Sequence, residues 1–164
     1  MNNLNKIIEL PELVSKLEKL RKIGKKIVTT NGVFDILHVG HLEALEKSAS
    51  LGDVLVVLVN SDYSVQTNKG PGRPVVPEKN RARMLAAFEV VDYVCLFGEE
   101  TPVDCLKEIG PDVHAKGGDY SIETLPEKSI VDEKGGKVVI FNLVSGMEGK
   151  ISTTSLIEKI KKEF

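Results

Sequence analysis

The sequence predicts an α/β fold: a Rossmann-like, doubly wound parallel sheet of about five strands with helices on both faces. The segment DVLVVLVN (53–60) holds six consecutive apolar residues, which is typical of a strand buried on both faces. Strand-like segments also alternate with segments of helical apolar spacing, the order that produces a parallel sheet. Five strands are too few for a closed eight-stranded barrel, so we expect an open sheet.

Length and composition are those of one globular domain. The chain has 164 residues, of which 41% are hydrophobic and 28% are charged. Its net charge of −2 provides no overall attraction to nucleic acid or to an anionic membrane, so anion-binding residues have to be concentrated locally. No apolar stretch suits a signal peptide or a membrane span. Cys95 and Cys105 lack metal or redox spacing, so we expect free thiols in a cytoplasmic protein.

Each element is predicted from apolar spacing and from the residues that begin or end it. Residues 11–23 predict a helix, because Pro11 suits a first turn and Gly24 can end the helix. Residues 1–24 are therefore expected to be an N-terminal helical extension of a single domain at 25–164. The later strands are predicted at 25–30, 53–60, 90–97, 112–115 and 137–144, and the later helices at 39–51, 77–89, from Pro102 to Ile109, 126–134 and 153–163.

Open parallel sheets bind ligands beyond the carboxyl ends of their strands. After the first strand, GVFDILHVGH (32–41) places His38 and His41 three residues apart at a helix start, where they can share one face. Gly40 lets an anion approach the backbone, and the helix N-terminus offers free N–H groups, so these features fit a polyphosphate. The residues alone leave open a zinc site, for which His114 is the only other histidine, general acid–base catalysis, or a structural pair.

Polar and basic residues follow the second strand. Asn60 and Asp62 can bind hydroxyl groups where the chain leaves that strand. Lys69 and Arg73 lie in KGPGRP (69–74), which is either a solvated loop or a mobile lid with cations for phosphate.

The helix after this loop carries two arginines that its periodicity separates. Met84 and Leu85 are expected to face inward together with Phe88. Arg81 lies three and four residues before Met84 and Leu85, so we expect it on the inward face and near the ligand edge of the sheet. Arg83 points about 200° around the helix from Arg81. We therefore predict a ligand contact for Arg81 and a surface position for Arg83.

Two further stretches follow the fourth and fifth strands. In AKGGDY (115–120), Lys116 can pair with phosphate, Gly117 can expose its N–H group, and Asp119 can accept from sugar hydroxyls. A tight turn explains that stretch equally well. In ISTTSLIE (151–158), three hydroxyl residues at a helix start exceed what capping needs, which favours phosphate binding, although SLIE resembles a capping box.

Together these stretches resemble a known family. GVFDILHVGH resembles the HxGH signature of the cytidylyltransferase-like nucleotidyltransferase superfamily, and ISTT resembles its second signature. The segments NSDYSV, KGPGRPVVP, NRARMLAAFEVVDYV and VHAKGGDY are similar to the branch that makes ADP-glycero-manno-heptose for lipopolysaccharide. The resemblance implies attack by a sugar 1-phosphate oxygen on the α-phosphorus of ATP, with pyrophosphate leaving. The acceptor phosphate is ionised at pH 7, so no general base is required.

The resemblance also implies roles for matching residues. His38 and His41 are expected to hold the triphosphate and stabilise charge at the α-phosphorus, with Asp35 and Lys69 near the reacting phosphates. The nucleotide-binding residues are expected to be Thr30, Asn31, Gly32, Phe34, His38, Gly40, His41, Lys116, Gly117, Asp119, Ser152, Thr153 and Thr154. The substrate-binding residues are expected to be Asp35, Asn60, Asp62, Lys69, Arg73, Arg81 and Asp119. Mg²⁺ is expected to be bound mainly through the triphosphate, with no dedicated protein ligand.

Two other functions are weighed against this one. A CTP-dependent cytidylyltransferase for glycerol 3-phosphate or another polyol phosphate is the alternative, although such enzymes carry an arginine upstream of ISTT where Lys150 is nearest here. A nucleotide-binding module without turnover is disfavoured by the intact HVGH, KGGD and ISTT stretches. We also expect a homodimer and a functional link to a separate sugar kinase, and we expect neither nucleic acid nor membrane as a partner.

Overall fold

A computed structural model of the protein describes residues 3–118, 120–142 and 152–163. Its centre is one sheet of five parallel strands, which are β1 (Ile27–Gly32), β2 (Val54–Asn60), β3 (Tyr93–Phe97), β4 (Val113–Gly117) and β5 (Lys137–Phe141). The strand order is β3-β2-β1-β4-β5, and every neighbouring pair is parallel. The order reverses at β1, which has β2 on one side and β4 on the other. This arrangement confirms the predicted Rossmann-like fold, and ligand sites in such folds lie where the order reverses.

The described residues form seven α-helices. They are α1 (Leu10–Lys22), α2 (Val39–Ala49), α3 (Asp62–Lys69), α4 (Glu78–Ala86), α5 (Val103–Ile109), α6 (Glu127–Glu133) and α7 (Thr153–Glu163). A 3-10 turn at Asn3–Lys6 precedes them, and another lies at Ile122–Thr124. No helix within the described ranges combines the length and apolar character that crossing a membrane would require.

Helices cover both faces of the sheet. Leu13 and Leu17 of α1 pack with α5 and α6 over one face, and both are fully buried. On the other face, Leu45 of α2 and Leu85 of α4 pack with Val57 and Val59 of β2. The N-terminal helix therefore covers the sheet, and Arg21 ties it to α5 by donating to the carbonyl oxygen of Ile109 at 2.5 Å. The division of the chain at residue 24 stays a prediction.

The structure corrects two sequence expectations. Lys69 does not lie in a loop, because residues 62–69 form α3, whose start is capped by Ser61 Oγ accepting from Ser64 N at 3.1 Å. Met84 does not face inward, because its side chain is 55% exposed whereas Leu85 is fully buried. The buried positions of α4 are 81, 82, 85 and 86, so the apolar stripe passes beside Met84.

Candidate functional site

A cavity of about 400 Å³ lies at the carboxyl edge of the sheet, around β1. Cavities of this size hold small molecules in many proteins. The site residues predicted from the sequence that line it are Asn31, Gly32, Phe34, Asp35, His41, Asn60, Lys69, Arg73, Lys116 and Thr153. These residues come from the ends of three strands and from α2, α3 and α7, so the fold brings distant stretches of the chain to one place.

Other predicted site residues do not line this cavity. Thr30 is buried within β1, Asp62 and Arg81 pair with each other, and His38 stands behind His41. Gly40, Gly117, Ser152 and Thr154 lie beside lining residues without being part of the wall. Asp119 lies outside the described residues.

The two histidines form a stacked pair at the start of α2. Their ring centroids are 3.9 Å apart with 28° between the planes, and His38 is the extended residue before the helix. Burial, with smaller contributions from His38 and Lys69, lowers the pKa of His41 to about 4, although Asp35 opposes the shift. Burial also lowers the pKa of His38. Both rings are therefore neutral at pH 7, and each carries one N–H donor.

The third histidine is remote from this pair. His114 is fully buried in β4, and its Nδ1 shares a hydrogen bond of 2.9 Å with Thr29 Oγ1. Burial lowers the pKa of His114 to about 4. In the parts of the chain that the structure describes, no three His, Cys, Asp or Glu side chains are grouped so as to hold a metal ion. His114 is therefore a buried residue of the sheet, hydrogen-bonded to Thr29.

Asp35 anchors the segment that follows α3. Its carboxylate accepts from Arg73 Nε at 2.8 Å, from Val75 N at 2.9 Å and from Val76 N at 2.8 Å, and only 3% of the residue is exposed. Burial alone would raise the pKa of Asp35, but these hydrogen bonds outweigh it and the pKa lies below its usual value. An ionised carboxylate so fully hydrogen-bonded positions Arg73 and is unsuited to proton transfer.

Arg81 is buried as expected, but its guanidinium is fully engaged by protein. It donates to Val33 O at 2.5 Å, to Val76 O at 2.9 Å and to Asp62 Oδ1 at 2.8 Å. The contacts that the structure shows give Arg81 and Asp62 positioning roles, and their predicted ligand contacts stay predictions. Arg81 joins the exit of β1 to the start of α3 and to the segment that follows α3, which the helical spacing alone could not reveal. Arg83 is exposed, as its spacing predicted.

Lys116 lies in a buried ion pair that sequence reasoning missed. Its Nζ donates to Asn31 Oδ1 at 2.9 Å and to Glu127 Oε1 at 2.5 Å, and 5.4 Å separates it from the centre of the Tyr120 ring. Glu127 is 2% exposed and lines the cavity. Burial alone would raise the pKa of Glu127, but Lys116 outweighs it and lowers the pKa. The sequence did not reveal this pair, because an acidic residue at a helix start is explained by its favourable interaction with the helix dipole.

The hydroxyl residues at the start of α7 are divided between capping and the cavity. Ser155 N donates to Ser152 Oγ at 3.1 Å, and Ser152 N donates to Ser155 Oγ at 3.0 Å. This reciprocal cap begins three residues before the SLIE stretch in which it was expected. Thr153 is half-buried and lines the cavity, whereas Ser152 and Thr154 are exposed.

Comparisons with known proteins identify the family to which the chain belongs. Residues 29–159 match the family described as cytidylyltransferase-like. The bifunctional protein HldE of Citrifermentans bemidjiense is 44% identical over 160 residues, which are 98% of this chain and 32% of that protein. HldE of Syntrophotalea carbinolica is 47% identical over 148 residues, 90% of this chain and 29% of that protein. The chain thus spans about a third of the length of these curated relatives.

One solved structure adds to these relatives. The lipopolysaccharide core biosynthesis protein from Thermoplasma volcanium superposes with a TM-score of 0.60 at 33% identity, covering 74% of this chain and 98% of that one.

Proposed function

This chain is a nucleotidyltransferase of the cytidylyltransferase-like family, and on that premise we propose that it transfers AMP from ATP to D-glycero-β-D-manno-heptose 1-phosphate. A phosphate oxygen of the sugar attacks the α-phosphorus of ATP, the bond from that phosphorus to the β-phosphate oxygen breaks, and ADP-heptose and pyrophosphate leave. The chain would correspond to the adenylyltransferase part of the bifunctional relatives, and a sugar kinase would supply its acceptor.

The observation that supports this proposal is the meeting of His41, Lys69, Arg73 and Thr153 in one cavity. Two cations and neutral N–H and O–H donors suit a triphosphate, whose charge shifts towards the leaving pyrophosphate during the reaction. The acceptor phosphate needs no deprotonation, which agrees with a site in which Asp35, the buried carboxylate that pairs with Arg73, already accepts several hydrogen bonds. Catalysis would rest on positioning and charge stabilisation.

Mg²⁺ is proposed to arrive as part of the Mg·ATP substrate. The oxygens of Asp35 accept hydrogen bonds from Arg73, Val75 and Val76, so this carboxylate at the cavity is not free to bind the ion. Triphosphate oxygens and water are therefore its expected ligands, as is common for magnesium. Bound there, the ion would neutralise charge on the leaving pyrophosphate.

The test crosses nucleoside triphosphates with sugar and polyol phosphates and measures pyrophosphate release with Mg²⁺. Release with ATP and the heptose 1-phosphate is expected. Release with CTP and glycerol 3-phosphate alone would favour the cytidylyltransferase alternative, and no release from any pair would refute both. The cytoplasm stays the expected location because the reaction uses ATP and both cysteines are free. A homodimer also stays an expectation.

A variant series tests the role of the histidines. His41→Ala removes a donor proposed to stabilise the transition state, so turnover should fall roughly 10²- to 10³-fold, as for other single donors of this kind. Lys79→Ala changes an exposed residue of α4 outside the cavity and serves as the matched control. Unchanged turnover in a folded His41→Ala protein would remove His41 from the mechanism.

A further inference from the structure

We infer that Glu127 and Lys116 form a hydroxyl-binding corner of the cavity, in which the Glu127 carboxylate accepts a hydrogen bond from a substrate hydroxyl group. The inference rests on the proposed function, because it assumes substrates with hydroxylated rings. It assigns a specificity-determining role to a residue outside the HVGH and ISTT stretches.

Within the described ranges, only one oxygen of the Glu127 carboxylate has a hydrogen-bond partner. Glu127 Oε1 accepts from Lys116 Nζ, whereas Oε2 is buried and has no hydrogen-bond partner within the described ranges. A buried carboxylate oxygen without a donor is costly, so buried polar atoms nearly always have partners. Glu127 lines the cavity, and the last torsion of a glutamate side chain is soft, so a small rotation can present this oxygen to a bound molecule.

The positive charge of Lys116 is balanced by Glu127. Lys116 is paired with Glu127, and its side chain is only 11% exposed, so it does not act as a free cation towards phosphate. Among the lining residues that the structure describes, Lys69 is the cationic group without an ion pair, since Arg73 pairs with Asp35 and Lys116 with Glu127. The Glu127–Lys116 corner has little net charge and therefore suits an uncharged polar group. The negatively charged Glu127 Oε2 favours a group that donates a hydrogen bond.

The cavity wall beside Glu127 has an aromatic ring and apolar side chains. Tyr120, Leu125 and Pro126 line the cavity beside Glu127. The Tyr120 ring and these apolar carbons can contact the C–H groups of a sugar ring. The Glu127 carboxylate and the Asn31 amide can contact its O–H groups. Ribose of the nucleotide and the acceptor sugar both have this chemistry.

A purely structural explanation competes with this inference. His114 influences Glu127 electrostatically, and its Nε2 is also buried without a partner among the described residues. If Glu127 served only the interior around His114 and Lys116, its replacement would weaken the fold without changing the response to any substrate hydroxyl. The two explanations differ in whether the effect of replacing Glu127 depends on the presence of one substrate hydroxyl group.

The test combines Glu127→Gln with substrates that each lack one hydroxyl group: 2′-deoxy-ATP, 3′-deoxy-ATP and deoxy forms of the acceptor sugar phosphate. In the wild type, one analogue should lose about 10-fold or more in kcat/KM, as for a hydrogen bond to a charged group. Glu127→Gln should lose far less with that same analogue, because the amide oxygen stays with Lys116 and the NH2 group puts a donor where the negative Oε2 acceptor stood. The sensitive analogue identifies ribose or the acceptor sugar as the source of the hydroxyl. Equal losses in both proteins for every analogue would overturn the inference.

Matched variants and a binding assay complete the design. Glu123→Gln changes an exposed glutamate outside this cavity and should respond to the analogues like the wild type. If Glu127→Gln does not fold, Glu127→Asp keeps the charge beside Lys116, withdraws the carboxylate by one methylene, and should show the same loss of discrimination. Calorimetric binding of ATP and its deoxy forms needs no turnover, so coupling seen there supports the inference even if the proposed transfer fails. Absence of both binding and turnover in the wild type would overturn both.

Discussion

The imidazole rings of His38 and His41 stack with 3.9 Å between their centroids, which makes simultaneous protonation of the two rings unfavourable. Each Nδ1 is buried and lacks a hydrogen-bond partner within the described ranges. The pair is therefore held neutral in the free protein, with its hydrogen-bonding capacity unused beside the cavity.

The neutrality of His41 can be measured by NMR titration. Its pKa is about 4 against 6.5 for an ordinary histidine, so we expect no imidazolium signal from His41 at pH 6. The unfolded chain binds this proton at a higher pH than the folded one, so the free energy of unfolding should fall as the pH falls from about 6.5 towards about 4. His38→Asn removes one of the lowering influences and should raise the pKa of His41. A His41 that titrates near 6.5 would contradict this account.

Removal of the Asp35 carboxylate should release the segment 73–76. In Asp35→Ala, the amides of Val75 and Val76 lose their acceptor, so their hydrogen exchange should accelerate by more than about 10-fold, given about 1.5–3 kcal/mol for a charged hydrogen bond. Asp53→Ala is the control, because Asp53 also accepts a backbone N–H, from Lys26, far from this segment. Exchange at Val75 that is unchanged in Asp35→Ala would refute the anchoring role.

The same carboxylate gives a second pH dependence. The pKa of Asp35 is lowered in the folded protein, so its contribution to stability is present above the ordinary aspartate range and is lost as the pH falls through the folded pKa. Urea unfolding of the wild type and Asp35→Asn should be compared over acidic pH. The difference in the free energy of unfolding between the two proteins should shrink as the pH falls. Parallel pH profiles would mean that the carboxylate charge contributes nothing to the fold.

The two arginines of α4 should differ sharply in their effect on stability. Arg81→Ala leaves Asp62 and two carbonyl oxygens without their donor and should lower the free energy of unfolding by about 3–5 kcal/mol. Arg83→Ala, two residues along the same helix, is exposed and should change it by less than about 0.5 kcal/mol. Urea denaturation of both variants is the measurement, and similar losses would argue against the positioning role of Arg81.

Two glycines provide a matched test of packing. A Cβ at Gly136 would lie 2.1 Å from the carbonyl oxygen of Pro111, so Gly136→Ala should lower the melting temperature markedly, with a cost of at least about 1–3 kcal/mol. At Gly72 a Cβ would meet nothing within 4 Å, so Gly72→Ala should leave the melting temperature nearly unchanged. Equal melting temperatures would show that the turn before β5 adjusts freely.

Much of the fold was predictable because its signals are local. The six apolar residues of β2 and the leucines of α1 report burial directly, and the position of HVGH at the exit of β1 follows from that order of elements. The sequence prediction failed at α3, which has few apolar residues to mark a helix, and at Met84, which lies just beside the buried stripe of α4. In both cases the deciding contacts come from other parts of the chain.

By itself, the sequence predicted the class of the sheet, the edge at which the cavity lies, and most of the stretches that line it, since these depend on periodicity and on the order of elements. Only the tertiary structure decided which polar groups are already paired. Asp35 with Arg73, Arg81 with Asp62, and Lys116 with Glu127 are ion pairs between residues on different segments of the fold. Spacing predicts where a side chain points within its own helix or strand. Whether its hydrogen-bonding capacity is free for a ligand depends on neighbours that folding brings from elsewhere.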